Sequence, residues 1–123
     1  MKVRYSAVVL DLASHRRLLS LFGVKEGWNP YAHHMTIVFG KGLPDHLKGD
    51  LGKVVDLTVT HVGRSDKAHA VRVKGYHSKN EVPHVTLSVN INNGGKPVDS
   101  NSIKEWVEVQ GGPVLKGKVE EVR

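Results

Sequence analysis

The chain has 123 residues, a length that suits one compact domain and excludes two ordinary ones. It contains no cysteine, which excludes disulfide bonds, thiolate zinc sites and cysteine nucleophiles. The formal net charge of +6 favours a polyanionic partner, although a basic surface also promotes solubility. We therefore expect a single domain over residues 1–123.

The first residues do not have the pattern of a secretory signal. Their apolar run, residues 7–10, is short and ends at Asp11. No stretch of the chain approaches the roughly 20 apolar residues that a membrane-spanning helix needs. We expect a cytoplasmic protein without membrane contact, in keeping with the absence of cysteine, and a monomer.

The first half of the chain predicts two strands with a helix between them. Residues 3–12 contain the apolar run of a strand, and Ser14 then has the chemistry of a helix N-cap. Leucines at helical spacing follow, and Gly23 is expected to end the helix. After a loop, residues 33–39 predict a second strand, and residues 44–51 predict a short helix.

The second half of the chain predicts four more strands. They lie at residues 54–62, 69–74, 83–91 and 114–122. Ser100 or Asn101 is expected to cap a short helix that continues through Trp106. This order is not the alternation of a parallel sheet, so we expect an α+β fold of mainly antiparallel strands with about two helices.

The most informative feature is a short pattern, histidine, any residue, threonine (H-x-T), that occurs on two predicted strands. One strand reads HMTIVF from His34, and the other reads HVTLSVN from His84. Residues two apart share a face of a strand, so each histidine lies on the same face as the threonine of its motif. In the first strand this alternation predicts that Phe39 lies on the opposite, apolar face, and that His33 points to that face or caps its edge.

Two such strands side by side predict a site for one phosphate group. A histidine has an ordinary pKa of about 6.5, so His34 and His84 can supply a proton acceptor and a proton donor near neutral pH. Thr36 and Thr86 offer hydroxyls that stabilise charge on the phosphate oxygens. This arrangement requires no metal or other cofactor, and we expect none.

A single H-x-T triplet carries little information, because most such triplets are an ordinary histidine beside a strand threonine. Two copies, each at the start of a strand and after a loop, favour the catalytic interpretation. The remaining histidines show no metal-ligand spacing, and none belongs to an H-E-x-x-H pattern.

At these residues the sequence resembles the 2H phosphoesterase superfamily, which includes the 2′-5′ RNA ligase-like proteins and cyclic phosphodiesterases. The resemblance rests on HMTI at residues 34–37 and HVTL at residues 84–87, with Pro83 before the second motif and Gly40 after the first. It implies two pseudo-symmetric lobes and a central cleft that carries both H-x-T strands. It also implies hydrolysis of 2′,3′-cyclic phosphates or 2′-5′ linkages, with the two histidines as the acid–base pair and the two threonines as phosphate binders.

Three further residues are candidates for substrate binding. Tyr5 on the first strand can stack on a base, or it is an ordinary half-buried strand aromatic. Lys96 and Ser100 follow a glycine-rich loop that can hold a phosphate through backbone amides and the lysine. A plain turn followed by a helix cap is the alternative interpretation of that loop.

The sequence leaves more than one function open. An enzyme of this kind acts on RNA ends, in RNA processing or repair, or on small cyclic or 2′-5′-linked oligonucleotides that serve as signals. The alternative is a non-catalytic module that binds an RNA end or a nucleotide phosphate. The pair of histidines disfavours that alternative, because binding alone can use lysine or arginine.

Overall fold

The computed structural model describes residues 2–123. The six predicted strands and the first helix occur in the predicted order, together with two short strands that were not predicted. Within these residues the strands are β1 Tyr5–Leu10, β2 Asn29–Pro30, β3 His34–Phe39, β4 Val54–Arg64, β5 Ala68–Lys74, β6 His84–Val89, β7 Trp106–Glu108 and β8 Val114–Val122. One α-helix, α1, spans Leu12–Phe22, and short 3-10 helices span Asp45–Asp50, Ile91–Asn93 and Pro97–Ser102.

Six strands close into one antiparallel barrel. Their order is β6-β3-β1-β8-β4-β5, and β5 pairs with β6 to complete the ring. The short strands β2 and β7 are additions that pair with β6 and β4. The expected class, mainly antiparallel strands with few helices, is confirmed, and the strands form one continuous closed sheet that leaves only short edges.

Aliphatic side chains fill the barrel. Strand β8 shows how the sequence produces this core, because Leu115 and Val119 are buried whereas Lys116 and Lys118 are exposed. Truncating a fully buried core side chain such as Leu57 to alanine is expected to cost about 2–5 kcal/mol of stability. The packed interior thus gives β3 and β6 a rigid backing.

Helix α1 begins earlier than the sequence predicted. Its N-cap is Asp11, whose carboxylate accepts a hydrogen bond of 2.8 Å from the Ser14 amide, so the prediction of Ser14 as the cap is wrong. The Ser14 hydroxyl instead accepts a bond of 2.8 Å from the Lys116 amide and ties the helix to β8. The predicted end at Gly23 is confirmed, with a positive φ of 70°.

The expected helix from Ser100 or Asn101 through Trp106 is also not formed. The chain turns into a 3-10 helix sooner, directly after Lys96, because Pro97 has the fixed φ of a first helical residue. Trp106 begins the short strand β7 and packs beside Ala68, Ala70 and Ile103.

No helix within residues 2–123 combines the length and the apolar character that crossing a membrane demands.

Candidate functional site

A pocket lies on the side of β3 and β6 that faces away from the barrel core. Its volume is about 540 Å³, and its lining includes His34, Thr36, His84 and Thr86. The four side chains that the sequence indicated as catalytic or phosphate-binding therefore line a single pocket.

The pairing of β3 with β6 sets how the two motifs lie against each other. Met35 pairs with Val85, and these are the middle residues of the two H-x-T motifs. Because the strands are antiparallel, this register places each histidine across from the threonine of the other motif. The two histidines then occupy diagonal corners of a square of four side chains, at a separation of about 7–8 Å. A phosphate group at the centre of this square is within reach of both imidazoles.

The first motif is followed directly by a β-bulge. Thr36 pairs with Ala7 of β1, whereas Val38 pairs with Ser6, so Ile37 is an extra residue on β3.

The second motif is followed by a bulge at the corresponding position. Thr86 pairs with Ala70 of β5, whereas Ser88 pairs with His69, so Leu87 is the extra residue on β6. In both halves of the site the motif threonine thus faces a fully buried alanine. Neither alanine lines the pocket, and Ala70 packs in an apolar cluster with Val89 and Ile103.

The bulge on β3 reverses the alternation of faces beyond Thr36. Val38 is buried with only 6% of its surface exposed, and Phe39 lines the pocket with 84% exposed. The prediction that Phe39 lies on the apolar core face is therefore wrong. No sequence pattern marks the bulge, because a bulge changes the pairing and not the local composition.

His34 is held between an aromatic ring and a second imidazole. Its ring stacks on that of Tyr5, with 4.8 Å between centroids and 26° between planes. The small Ala7 lies between these residues in the register of β1 and β3, which lets the two rings meet. The Nδ1 atoms of His33 and His34 are 2.8 Å apart and form a hydrogen bond.

The environment of His34 favours its neutral form. Burial lowers the pKa of His34 to about 4, and repulsion from His33 and His84 contributes in the same direction. A positive charge on His84 therefore disfavours a positive charge on His34.

His84 is buried and has a fixed orientation. Its Nδ1 donates a hydrogen bond of 2.8 Å to the Val82 carbonyl, which can only accept. The neutral ring therefore carries its proton on Nδ1, and Nε2 has a free lone pair. Burial lowers the pKa of His84, against the opposing effect of the bond to Val82.

The two threonine hydroxyls differ in their surroundings. The Thr36 hydroxyl forms no hydrogen bond with any part of the chain that the structure describes. The Thr86 hydroxyl lies 2.8 Å from the Ser100 hydroxyl and 3.4 Å from the Pro97 carbonyl. When the Ser100 hydroxyl donates to the Thr86 oxygen, the hydroxyl proton of Thr86 forms only the long hydrogen bond to the Pro97 carbonyl. That proton can then turn toward a ligand.

The three further candidates from the sequence lie in different places. Tyr5 lines the pocket, but one face of its ring is covered by His34. Ser100 is 1% exposed and contacts Thr86 without lining the pocket itself. Lys96 is exposed outside the pocket lining, and its backbone amide donates to Asp99 at 2.8 Å.

Sequence reasoning missed several residues of the pocket lining. Asn80 comes from the polar segment before β6, and Arg4 is the one permanently charged side chain in the lining within residues 2–123. His33 was expected on the apolar face or at its edge, but it is exposed and lines the pocket. Strand β3 begins only at His34, so the alternation that assigned His33 to the other face does not apply to it.

No group of three or more histidine, aspartate or glutamate side chains within residues 2–123 is arranged to hold a metal ion. Comparison of the chain with protein-family models and with curated proteins gave no match. The resemblance to the 2H phosphoesterases therefore stays a prediction that rests on the two motifs.

Proposed function

We propose that this chain is a metal-independent phosphodiesterase that hydrolyses 2′,3′-cyclic phosphates or 2′-5′-linked nucleotides, with two-histidine acid–base catalysis. The observation that carries the proposal is the pocket lined by both H-x-T motifs. The register through Met35 and Val85 supports it further, because the two motif histidines then occupy diagonal positions about 7–8 Å apart.

The hydrogen bonds of the two rings favour different roles. His84 holds its proton on Nδ1 toward Val82, so its Nε2 can accept a proton from the attacking water. His34 lies at the opposite corner of the square and is placed to protonate the leaving oxygen. Thr36 and Thr86 then donate to the non-bridging oxygens and stabilise the charge that grows there.

The charge of the substrate complements the pocket. Both histidines have lowered pKa values because burial disfavours the charged imidazolium. A phosphodiester anion between them opposes this effect, since its negative charge favours a positive charge nearby. Arg4 at the same pocket adds a permanent positive charge. Substrate binding is therefore expected to favour uptake of a proton by the histidines of the pocket.

The matching bulges after Thr36 and Thr86 support an internal repeat of the kind that the resemblance implies. We propose that the two halves of the chain correspond to the two pseudo-symmetric lobes, joined here in one barrel, with the pocket as their shared cleft. The substrates that fit this proposal are RNA ends in RNA processing or repair, and small cyclic or 2′-5′-linked oligonucleotides. We also propose that the protein is a monomer and acts in the cytoplasm.

The test is a substrate panel in the presence of a chelator. Purified protein is incubated with the four 2′,3′-cyclic nucleotides, an RNA with a 2′,3′-cyclic end, 2′-5′ oligoadenylates and cyclic dinucleotides, and products are identified by mass spectrometry. The proposal predicts hydrolysis of at least one class in excess EDTA. Salt-sensitive binding to these ligands without any product would favour the non-catalytic binding module instead.

A further inference from the structure

His33 has the contacts of a functional residue although it lies outside the H-x-T motif. It precedes β3 directly, lines the pocket, and is exposed to solvent. Its Nδ1 lies 2.8 Å from Nδ1 of His34, and the two rings meet at 84°. Two adjacent residues of a regular strand point to opposite faces, so this contact requires a break in the backbone just before the strand.

That break is at Ala32. Its φ of 53° lies in the left-handed region, which a residue with a Cβ rarely adopts. The residue is fully buried, and its amide donates a hydrogen bond of 2.8 Å to the Thr86 carbonyl. Its own carbonyl accepts a bond of 3.0 Å from Nδ1 of His15. The segment that directs His33 toward His34 is therefore held from two sides.

A hydrogen bond between two Nδ1 atoms needs one donor and one acceptor. A positive charge on the pair is more stable on exposed His33, where water solvates it, than on enclosed His34. In that state His33 donates and His34 accepts, so neutral His34 must carry its own proton on Nε2. This is the nitrogen that remains for a ligand, because Nδ1 is occupied by His33.

We propose that His33 is a positioning residue, an inference that rests on the proposed function. His33 keeps His34 in the Nε2-protonated tautomer. It also replaces the proton that His34 gives to the leaving oxygen, and this proton transfer from His33 through His34 is called the relay below. The oxygen of the attacking water forms a new bond to phosphorus and gives its proton to Nε2 of His84. As the bond from phosphorus to the leaving oxygen breaks, that oxygen keeps the electron pair and takes the proton from Nε2 of His34. The proton on Nδ1 of charged His33 moves to Nδ1 of His34 in the same step. His34 stays neutral throughout, His33 ends neutral, and His84 holds the proton of the attacking water.

The transfer of a proton from His33 resolves a conflict between the proposed role of His34 as an acid and its lowered pKa. Burial holds the pKa of His34 near 4, so an isolated His34 would be uncharged and a poor acid at neutral pH. The groups that face it are Tyr5 on β1, His84 on β6 and His33 itself. The guanidinium of Arg4 lies 6.0 Å from the centre of the Tyr5 ring. Within residues 2–123 no carboxylate contributes to the shift in the pKa of His34. Exposed His33 is therefore placed to supply the charge.

The test uses full-length protein with His33→Ala and His33→Asn, and with His46→Asn as a control on another exposed histidine. Rates are measured against pH on the best substrate of the panel. The relay predicts that both His33 variants lose at least about tenfold in kcat at pH 7. It also predicts a change in the plot of kcat against pH: in both variants the fall in kcat at high pH moves to lower pH by at least about one unit. The reason is that His34 must then act as the acid with its own lowered pKa. A fall in kcat at the same pH as in the wild type would overturn the relay.

A second measurement does not depend on activity. Nitrogen-15 NMR of the imidazoles reports which nitrogen of His34 carries the proton. The wild type is expected to show the Nε2–H tautomer of His34, and His33→Ala is expected to lose that preference. The Nδ1–H tautomer in the wild type, or an unchanged tautomer in the variant, would overturn the inference even in an active enzyme. The expected tautomers in a protein inactive on every substrate would support the positioning role and count against the proposed function alone.

Discussion

Ile37 and Leu87 occupy equivalent places in the two halves of the site, because each is the extra residue of a β-bulge that directly follows an H-x-T motif. Each bulge leaves its motif threonine opposite a fully buried alanine, Ala7 in one half and Ala70 in the other. The same irregular feature directly after the motif in both strands supports the proposed internal repeat. Bulges commonly redirect side chains beside binding sites.

The bulge at Ile37 leads to a prediction about substrate recognition. It places Phe39 in the pocket lining with most of its ring exposed, a suitable surface for a nucleobase. We expect Phe39→Ala to raise KM about tenfold for a nucleoside 2′,3′-cyclic phosphate, since stacking on one base is worth about 1–3 kcal/mol. Steady-state kinetics with glycerol cyclic phosphate, which lacks a base, should show little change. An equal loss on both substrates would contradict a stacking role.

Ser100 is expected to act through Thr86. Its hydroxyl lies 2.8 Å from that of Thr86, and the loss of one such bond is worth about 1 kcal/mol or somewhat more. We expect Ser100→Ala to lower kcat/KM by roughly tenfold with the fold intact, because the Thr86 hydroxyl loses the partner that orients it. Ser102→Ala, an exposed position of the same 3-10 helix, is the control in the same assay. Equal rates for the two variants would remove this role for Ser100.

Acid sensitivity of the fold is expected to arise in part from His69. This residue is 5% exposed opposite Ser88, and burial together with repulsion by Arg64 lowers the pKa of His69 from 6.5 to about 4. As the pH falls, the imidazole of His69 takes up a proton in the unfolded chain before it does so in the folded protein. The contribution of His69 to the free energy of unfolding is therefore fully present above pH 6.5 and is lost as the pH drops toward 4. The loss is of the order of 3 kcal/mol over that window.

Urea unfolding at several pH values tests this assignment. His69→Leu should flatten the fall in the free energy of unfolding between pH 6.5 and 4. His77→Gln, at an exposed position, should leave the fall as steep as in the wild type. A His69→Leu protein with the wild-type pH dependence would place the acid sensitivity elsewhere.

The sequence predicted the strands well where one face alternates cleanly. Strand β8 has the predicted bounds, 114–122, because buried aliphatic residues alternate with lysines. The same periodicity placed the histidine and threonine of each motif on a common face, and both pairs line the pocket. Periodicity describes one strand at a time, however, and gives no information about which strands pair. Periodicity therefore could not predict the closed barrel or the register through Met35 and Val85.

The errors also have physical causes. The alternation was applied to His33 and Phe39 as if the strand were regular, whereas Ala32 breaks it before His33 and the bulge breaks it before Phe39. Ser14 was chosen as a helix cap although Asp11, three residues earlier, offers an equally suitable side chain. The breaks at Ala32 and at the bulge are backbone features that local residue preferences do not reveal, whereas at the helix start those preferences allowed both residues.

The most direct measurement is a double-mutant comparison of His34→Ala, His84→Ala and the combined variant, with kcat/KM determined in excess EDTA on the best substrate. Folding of each variant is checked by near-ultraviolet circular dichroism. If the two imidazoles act as one acid–base pair, each single variant loses about 10²–10⁴-fold, and the double variant falls little further. Near-normal turnover in either single variant, or losses that simply multiply in the double variant, would contradict the account.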